Sequence, residues 1–331
     1  MIWLARRGFL VRLCAILTVS IVGIILSERL ARAAQTNFVY IMANQVLRLE
    51  ASRDVCPRLT FAPDSANQTA RLEDVATPIS PKILGLSLYA VGDAVNAQRV
   101  LSQQQEPTAV DLFWLGCAAY RAGDGAAAHH AWQAAHAASY FIKNGKQAYL
   151  QKDVARATAL YEIALELAPD SAEGWDNFAQ MQFDRAAGGR LAWAEALAAS
   201  EKALRLSPDN AMAHYRIGYG LWVSHGDWTR AESELRWAWA HDKNWLIAYA
   251  LGSLLIDQGK RGEVVDLLAY AFSKSDTPWT RFNLMRAYAQ EGRCAEAESA
   301  KTQMLTKYPE MLNPLRALCR NTTACVCDLN P

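Results

Sequence analysis

The stretch from Trp279 to Pro309, WTRFNLMRAYAQEGRCAEAESAKTQMLTKYP, constrains this chain more than any other. Leu284, Ala287 and Tyr288 stand at helical spacing, and Gly292 breaks the pattern. Ala295, Ala297, Met304 and Leu305 resume it, and Pro309 stops it. The spacing predicts two short helices joined by a turn. Two helices of this length cannot bury both apolar faces against each other, so the unit needs copies of itself on either side.

The copies are present, in phase. Leu84-Gly85, Tyr89, Gly92-Asp93 and Ala97 mark the first, and Leu115-Gly116, Tyr120, Gly123-Asp124, Ala128 and Trp132 the second. Gly145, Tyr149, Asp153, Ala157, Tyr161, Ala164 and Pro169 mark the third. Trp175, Phe178, Ala179, Ala196, Ala203 and Pro208 mark the fourth, which carries extra residues around Gly188-Gly189 and so predicts a longer inter-helix turn. Ile217-Gly218, Trp222, Gly226-Asp227, Ala231 and Ala238 give the fifth, and Leu251-Gly252, Gly259, Leu268 and Ala271 the sixth. The Trp279 unit is the seventh. Each landmark has a physical role. The glycine after the apolar residue lets the second helix cross close to the first, and the glycine before Asp supplies the left-handed residue that ends the first helix. The early Ala packs where nothing larger fits, and Pro closes the second helix.

This pattern resembles the tetratricopeptide repeat (TPR) family, over roughly residues 78–310. The resemblance implies an all-α fold, a right-handed α-solenoid of about seven helix pairs, whose first helices line a concave groove that holds a protein or peptide partner. Carried onto this sequence, one recurring groove position holds Tyr89, Tyr120, Tyr149, Phe183 and Trp222, and another Phe113, Tyr215, Tyr249 and Phe282, with Tyr219 one turn after Tyr215. The implied partner-binding set is Phe113, Tyr120, Tyr149, Phe183, Tyr215, Tyr219, Trp222, Tyr249 and Phe282, with Arg216, Arg286 and Lys146 as polar candidates. Aromatic rings suit that task because they bury large area at small entropic cost. Ordinary packing between helices accounts for such a stripe equally well, and both readings stand at this point.

Ahead of the repeats, Arg6, Arg7 and Arg12 precede an apolar run that ends at Leu26. The run is about long enough to span a bilayer, and the leading arginines place Met1 in the cytoplasm and the repeats outside. Residues 1–29 are thus expected to be a transmembrane signal anchor. The alternative is a signal peptide cut after Ala31-Arg32-Ala33, which would release a secreted body. Over residues 30–50, Phe38, Ile41, Met42, Val46 and Leu49 share one helical face and predict an N-terminal helical cap. From Cys56 to Thr77 a loop is expected, with one short helix near 68–74. Residues 311–331 read as a capping helix and a cysteine-bearing tail.

Cys294, Cys319, Cys325 and Cys327 cluster at the C-terminal end, and outside the cytoplasm that usage predicts disulfides. Zinc is the rival reading for three of them, although the C-x-C spacing is unusual for a structural site. Cys117, on a first helix beside Gly116, reads as a small packing residue. His129, His130 and His136 read as one second helix, with His129 and His136 on a shared face, more in keeping with a solvated surface than a metal site. No nucleophile elbow, zincin, P-loop or dinucleotide fingerprint occurs, so neither an enzyme nor a cofactor or metal is expected. A net charge of +1 gives no ground for nucleic-acid binding. The rival function is a glycan-binding accessory of a cell-envelope polysaccharide assembly or export system, because aromatic rings also grip sugar faces.

Overall fold

The computed structural model describes residues 47–50, 54–61, 80–90, 92–320 and 325–327. The chain divides into two compact units, Met1–Tyr140 and Phe141–Pro331. The expected anchor over residues 1–29 and the expected short helix near 68–74 lie outside the described residues. No helix among the described residues is long and apolar enough to cross a membrane.

The first unit opens with a hairpin. β1 (Leu47–Glu50) and β2 (Arg58–Phe61) pair antiparallel, Leu47 opposite Phe61 and Glu50 opposite Arg58. This overturns the helical reading of residues 30–50 at its C-terminal end, and the loop reading at Arg58–Phe61. LRLE and RLTF each alternate apolar and polar residues, the two-residue period of a strand. Four residues are too few for that period to stand out against a helical one; pairing with the facing segment decides it. The helices α1 (Pro81–Ala90), α2 (Ala94–Leu101), α3 (Ala109–Arg121) and α4 (Gly125–Ala134) follow as two pairs. Cys117 is no mere packing residue: it is bonded to Cys56 across 61 residues, and both are fully buried. Around that bridge the Tyr89 hydroxyl donates to the Pro57 carbonyl at 2.9 Å. Arg121 pairs with Asp54 at 3.3 Å and lies 4.3 Å over the Tyr89 ring.

The second unit continues the pairing. α5 (Ala138–Leu150), which straddles the boundary, is followed by α6 (Val154–Leu167), α7 (Ala172–Ala187), α8 (Trp193–Leu206), α9 (Ala211–Val223) and α10 (Trp228–His241). Then come α11 (Trp245–Asp257), α12 (Val264–Lys274), α13 (Pro278–Gln290) and α14 (Cys294–Lys307). Among the described residues the helices therefore form seven consecutive pairs, in the phase read from the sequence. The extra residues at Gly188-Gly189 do lengthen the turn between α7 and α8, with Gly189 at φ 69°.

The landmarks act as expected, with one exception. A Cβ on Gly116 would lie 2.4 Å from the Trp132 ring, so only glycine lets α4 cross α3 there. The Asp of each Gly-Asp landmark caps the second helix; Asp124, for instance, accepts from the Ala127 N–H at 3.0 Å. The exception is Gly226: the left-handed residue of that turn is His225, at φ 55°.

The centre of this unit's core is α11, WLIAYALGSLLID, apolar on nearly every side. Its Leu251, Leu254 and Leu255 pack with Leu235 of α10 and Leu268 of α12. At the C-terminal end a single 3-10 turn (Pro309–Met311) leads into α15 (Leu312–Cys319). Cys294 is bonded to Cys325, and Cys319 to Cys327. Those bridges leave none of the four thiolates for zinc. Val326 between them is fully buried against Met285, Met304, Met311 and Leu315.

Candidate functional site

In the second unit the first helices of successive pairs touch: α7 meets α9, α9 meets α11, and α11 meets α13. Their residues therefore form one surface, and what it carries is aromatic. Phe183 of α7 lies edge-on to Tyr219 of α9, with centroids 5.4 Å apart, and at 5.7 Å from Tyr215. Tyr219 in turn meets Trp222 edge-on at 5.5 Å. Such edge-to-face contacts add about 0.5–1.5 kcal/mol each beyond burial. Tyr249 of α11 packs against the same cluster.

The rings are not equally available. Phe183 and Tyr215 are only 7% and 5% exposed and act as the floor, whereas Tyr149, Tyr219, Trp222 and Tyr249 are half-buried and present surface. Burial pushes the Tyr215 phenol well above its ordinary value, raises that of Tyr219, and pushes the Tyr249 phenol up to about 12. Burial, then the Asp184 carboxylate, does the same at Tyr149. These phenols are neutral hydroxyls throughout the neutral range.

Polar side chains link the helices beside the rings. The Tyr149 hydroxyl donates to Asp184, whose two oxygens each accept from Gln180 Nε2 at 3.0 Å. The Gln180 side-chain oxygen accepts from Arg216 Nη1 at 3.0 Å, and Arg216 also pairs with Asp176. The Arg216 side chain is only 2% exposed. A guanidinium buried that deeply requires these partners, because an unpaired buried charge would cost several kcal/mol. Farther along, Asp257 accepts from Trp222 Nε1 at 3.0 Å and from Arg286 Nη2 at 2.7 Å. The ladder thus crosses α5, α7, α9, α11 and α13.

Of the nine aromatic residues expected to line a groove, the structure gathers Phe183, Tyr215, Tyr219, Trp222 and Tyr249, and Tyr149 joins through Asp184. Phe282 sits instead in the C-terminal apolar cluster, buried beside Met285 and Met304. Phe113 and Tyr120 belong to the first unit. There Phe113 packs edge-on against Tyr140 at 4.5 Å, and Tyr120, 39% exposed, tilts over Trp132. Tyr89 is buried under Arg121. Lys146 is exposed on α5.

Sequence reasoning missed Trp193. It opens a second helix, α8, yet reaches the array, 5.6 Å from Phe183 and 5.9 Å from Tyr219. The signal was the long turn at Gly188-Gly189, which delivers the start of α8 to the first-helix side. Asp176, Gln180 and Asp184 were also missed; their four-residue spacing on α7 marks one helical face. Among the described residues no group of His, Cys, Asp or Glu is placed to hold a metal. His129 and His136 do not share a helix face, because α4 ends at Ala134 and His136 lies in the turn at φ 52°.

No protein-family model and no curated protein matches the chain. Among solved structures it is similar to YrrB, a TPR protein with an unusual peptide-binding site, at 20% identity over 54% of this chain and 90% of that one, with a TM-score of 0.44. It is also similar to PilF of Pseudomonas aeruginosa, at 14% identity over 56% and 94% of the two chains and a TM-score of 0.42. A third is PilW, a type IV pilus biogenesis factor, at 16% identity over 72% and 96%, with a TM-score of 0.44.

Proposed function

We propose that this chain is a membrane-anchored, extracytoplasmic scaffold that binds a protein or peptide partner on the first-helix surface of its second unit. The observation that carries the reading is the row of half-buried rings, Tyr149, Tyr219, Trp222 and Tyr249, held in place by a ladder of paired polar side chains. Rigid rings that are part exposed lose little entropy when a partner covers them. Hydroxyls and carboxylates alongside offer directional contacts to a backbone. Contacts of this kind repeated over several helix pairs suit an extended partner. The location rests on two supports: the three disulfides, which favour an oxidising compartment, and the apolar N-terminal run led by arginines.

A photo-crosslinking residue at Tyr219 or Trp222 tests the site. It should capture the partner in the intact membrane, whereas one at exposed Glu162 on α6 should not. Trp222→Ala should weaken the captured complex by about 1–3 kcal/mol. Capture from Glu162 alone would move the site off this surface. A topology reporter fused after Pro331 should be active only outside the cytoplasm; cytoplasmic activity would end the localisation.

A further inference from the structure

The four cysteines at the C-terminal end are joined in interleaved order, Cys294 to Cys325 and Cys319 to Cys327. Chain order does not lead there. Cys294 and Cys319 precede the other two, so oxidation of a chain emerging from its N-terminal side meets the non-native Cys294–Cys319 pair first. Loop closure does not lead there either. Exchanging Cys325 with Cys327 gives Cys319–Cys325 and Cys294–Cys327. Cys319 and Cys325 are six residues apart, against eight in the native bridge. Closure entropy in the unfolded chain therefore favours the wrong pair by about 1.5-fold.

The folded structure makes the choice. Val326 is fully buried against Met285 of α13, Met304 of α14 and Leu315 of α15. With Val326 turned inward, Cys325 meets the start of α14 and Cys327 the end of α15. That seat is assembled from three helices, so it is absent until they have packed. Bridges made earlier are made without its guidance. Cys56 and Cys117 differ: once Cys14, the one cysteine ahead of them in the sequence, is set aside, they are the first two in chain order, and their bridge joins that pair.

We infer that Cys294, Cys319, Cys325 and Cys327 form a thiol–disulfide exchange site, and that a dithiol disulfide isomerase is a folding partner of this chain. The exchange balances without oxidant or reductant. Starting from the swapped pairing, the isomerase thiolate attacks Cys319 Sγ, forms a mixed disulfide and releases the Cys325 thiolate. Cys325 attacks Cys294 Sγ and releases the Cys327 thiolate. Cys327 then attacks Cys319 Sγ in the mixed disulfide and expels the isomerase thiolate unchanged. Two native bridges result, and burial of Val326 holds them.

The test is reoxidation of the full chain carrying Cys14→Ser. The protein is reduced and unfolded in urea with detergent, then diluted into a mixture of reduced and oxidised glutathione, which keeps the isomerase dithiol available, with or without protein disulfide isomerase. Bridges are read by non-reducing peptide mapping. Without the isomerase, Cys56–Cys117 should form while the four C-terminal cysteines spread over their three pairings. With it, the native share should rise about threefold, from one pairing in three to nearly all. Val326→Asp should keep the four scrambled even with isomerase, while Cys56–Cys117 and helical circular dichroism are recovered. Dominant native pairing without the isomerase, a native share the isomerase leaves unchanged, or native pairing in Val326→Asp would each overturn the inference.

Discussion

The two units hold their helix pairs by different means. In Met1–Tyr140 the second helices are short: α2 has 8 residues and α4 has 10. In Phe141–Pro331, α6, α8, α10 and α14 have 14 each, and α12 has 11. A short pair buries less apolar surface, and at about 25 cal/mol per Å² the deficit matters. The first unit offsets it with a hairpin, a buried disulfide and the Arg121 bridge. In the second unit α11 has packed neighbours on either side and is cross-linked to none. Among the described residues its disulfides lie only beside α14 and α15, the last helices of the unit. In both units the bridges tie segments outside the seven helix pairs to helices.

The sharpest way to break this comparison is to remove the buried bridge. Cys56→Ser with Cys117→Ser opens a loop of 61 residues, and the chain-entropy relation gives a loss of about 4 kcal/mol. Hydrogen exchange resolved by peptide should locate the loss in α1–α4 and leave α11 protected. A loss below about 1 kcal/mol, against the 2–5 kcal/mol usual for a native bridge, would mean that the short pairs are self-sufficient. The counterpart in the second unit is Leu251→Ala. Leu251 is fully buried in the α10–α12 core, and its truncation should cost about 2–5 kcal/mol. Urea unfolding should show that cost, with protection lost around α11 and kept in α3. Equal losses in both units would dissolve the distinction.

The repeat was legible because its signals are local: an apolar residue before Gly, a Gly-Asp turn, an Ala one turn later. The hairpin was not, because two four-residue strands are decided by each other rather than by their own period. Cys117 was misread for a related reason. Beside Gly116 on an apolar helix a half-cystine and a small packing residue look alike, and only the approach of Cys56 separates them. At the candidate site, the aromatic residues on first helices could be read from their repeat position. Arg216 pairing with Asp176, or Trp222 with Asp257, could not, because those contacts depend on how neighbouring helices are spaced. The floor residues Phe183 and Tyr215 and the half-buried Trp222 likewise look alike as letters.

Glycines at the helix crossings sharpen the comparison with smaller effects. In the first unit, a methyl group at Gly116 would lie 2.4 Å from a Trp132 ring that is itself buried. In the second, one at Gly252 would lie 2.8 Å from the Leu268 side chain. A flat ring hydrogen-bonded to the Phe113 carbonyl has less room to turn than a leucine branch. Gly116→Ala should cost about 1–3 kcal/mol and shift tryptophan emission; Gly252→Ala should cost less. The reverse order in thermal melts would show that the second unit is the more tightly packed at its crossings.

The smallest effect expected is a gain. In the first unit the turn between α3 and α4 takes its left-handed residue at Gly123, φ 84°, where glycine carries no penalty. In the second unit the corresponding turn between α9 and α10 takes it at His225, with Gly226 one place too late to help. A non-glycine residue there costs roughly 1–2 kcal/mol, while a glycine adds about 0.5–1 kcal/mol of unfolded-chain entropy. His225→Gly should therefore stabilise the second unit by about 0.5–1 kcal/mol after both effects. Gly226→Ala should be nearly neutral, since its Cβ would meet nothing closer than the Leu221 carbonyl at 3.3 Å. Gly123→Ala should destabilise by about 1 kcal/mol. Urea midpoints of the three variants would settle the order, and a destabilised His225→Gly would mean that the His225 ring, tilted against Trp228, holds the turn more strongly than its backbone strains it.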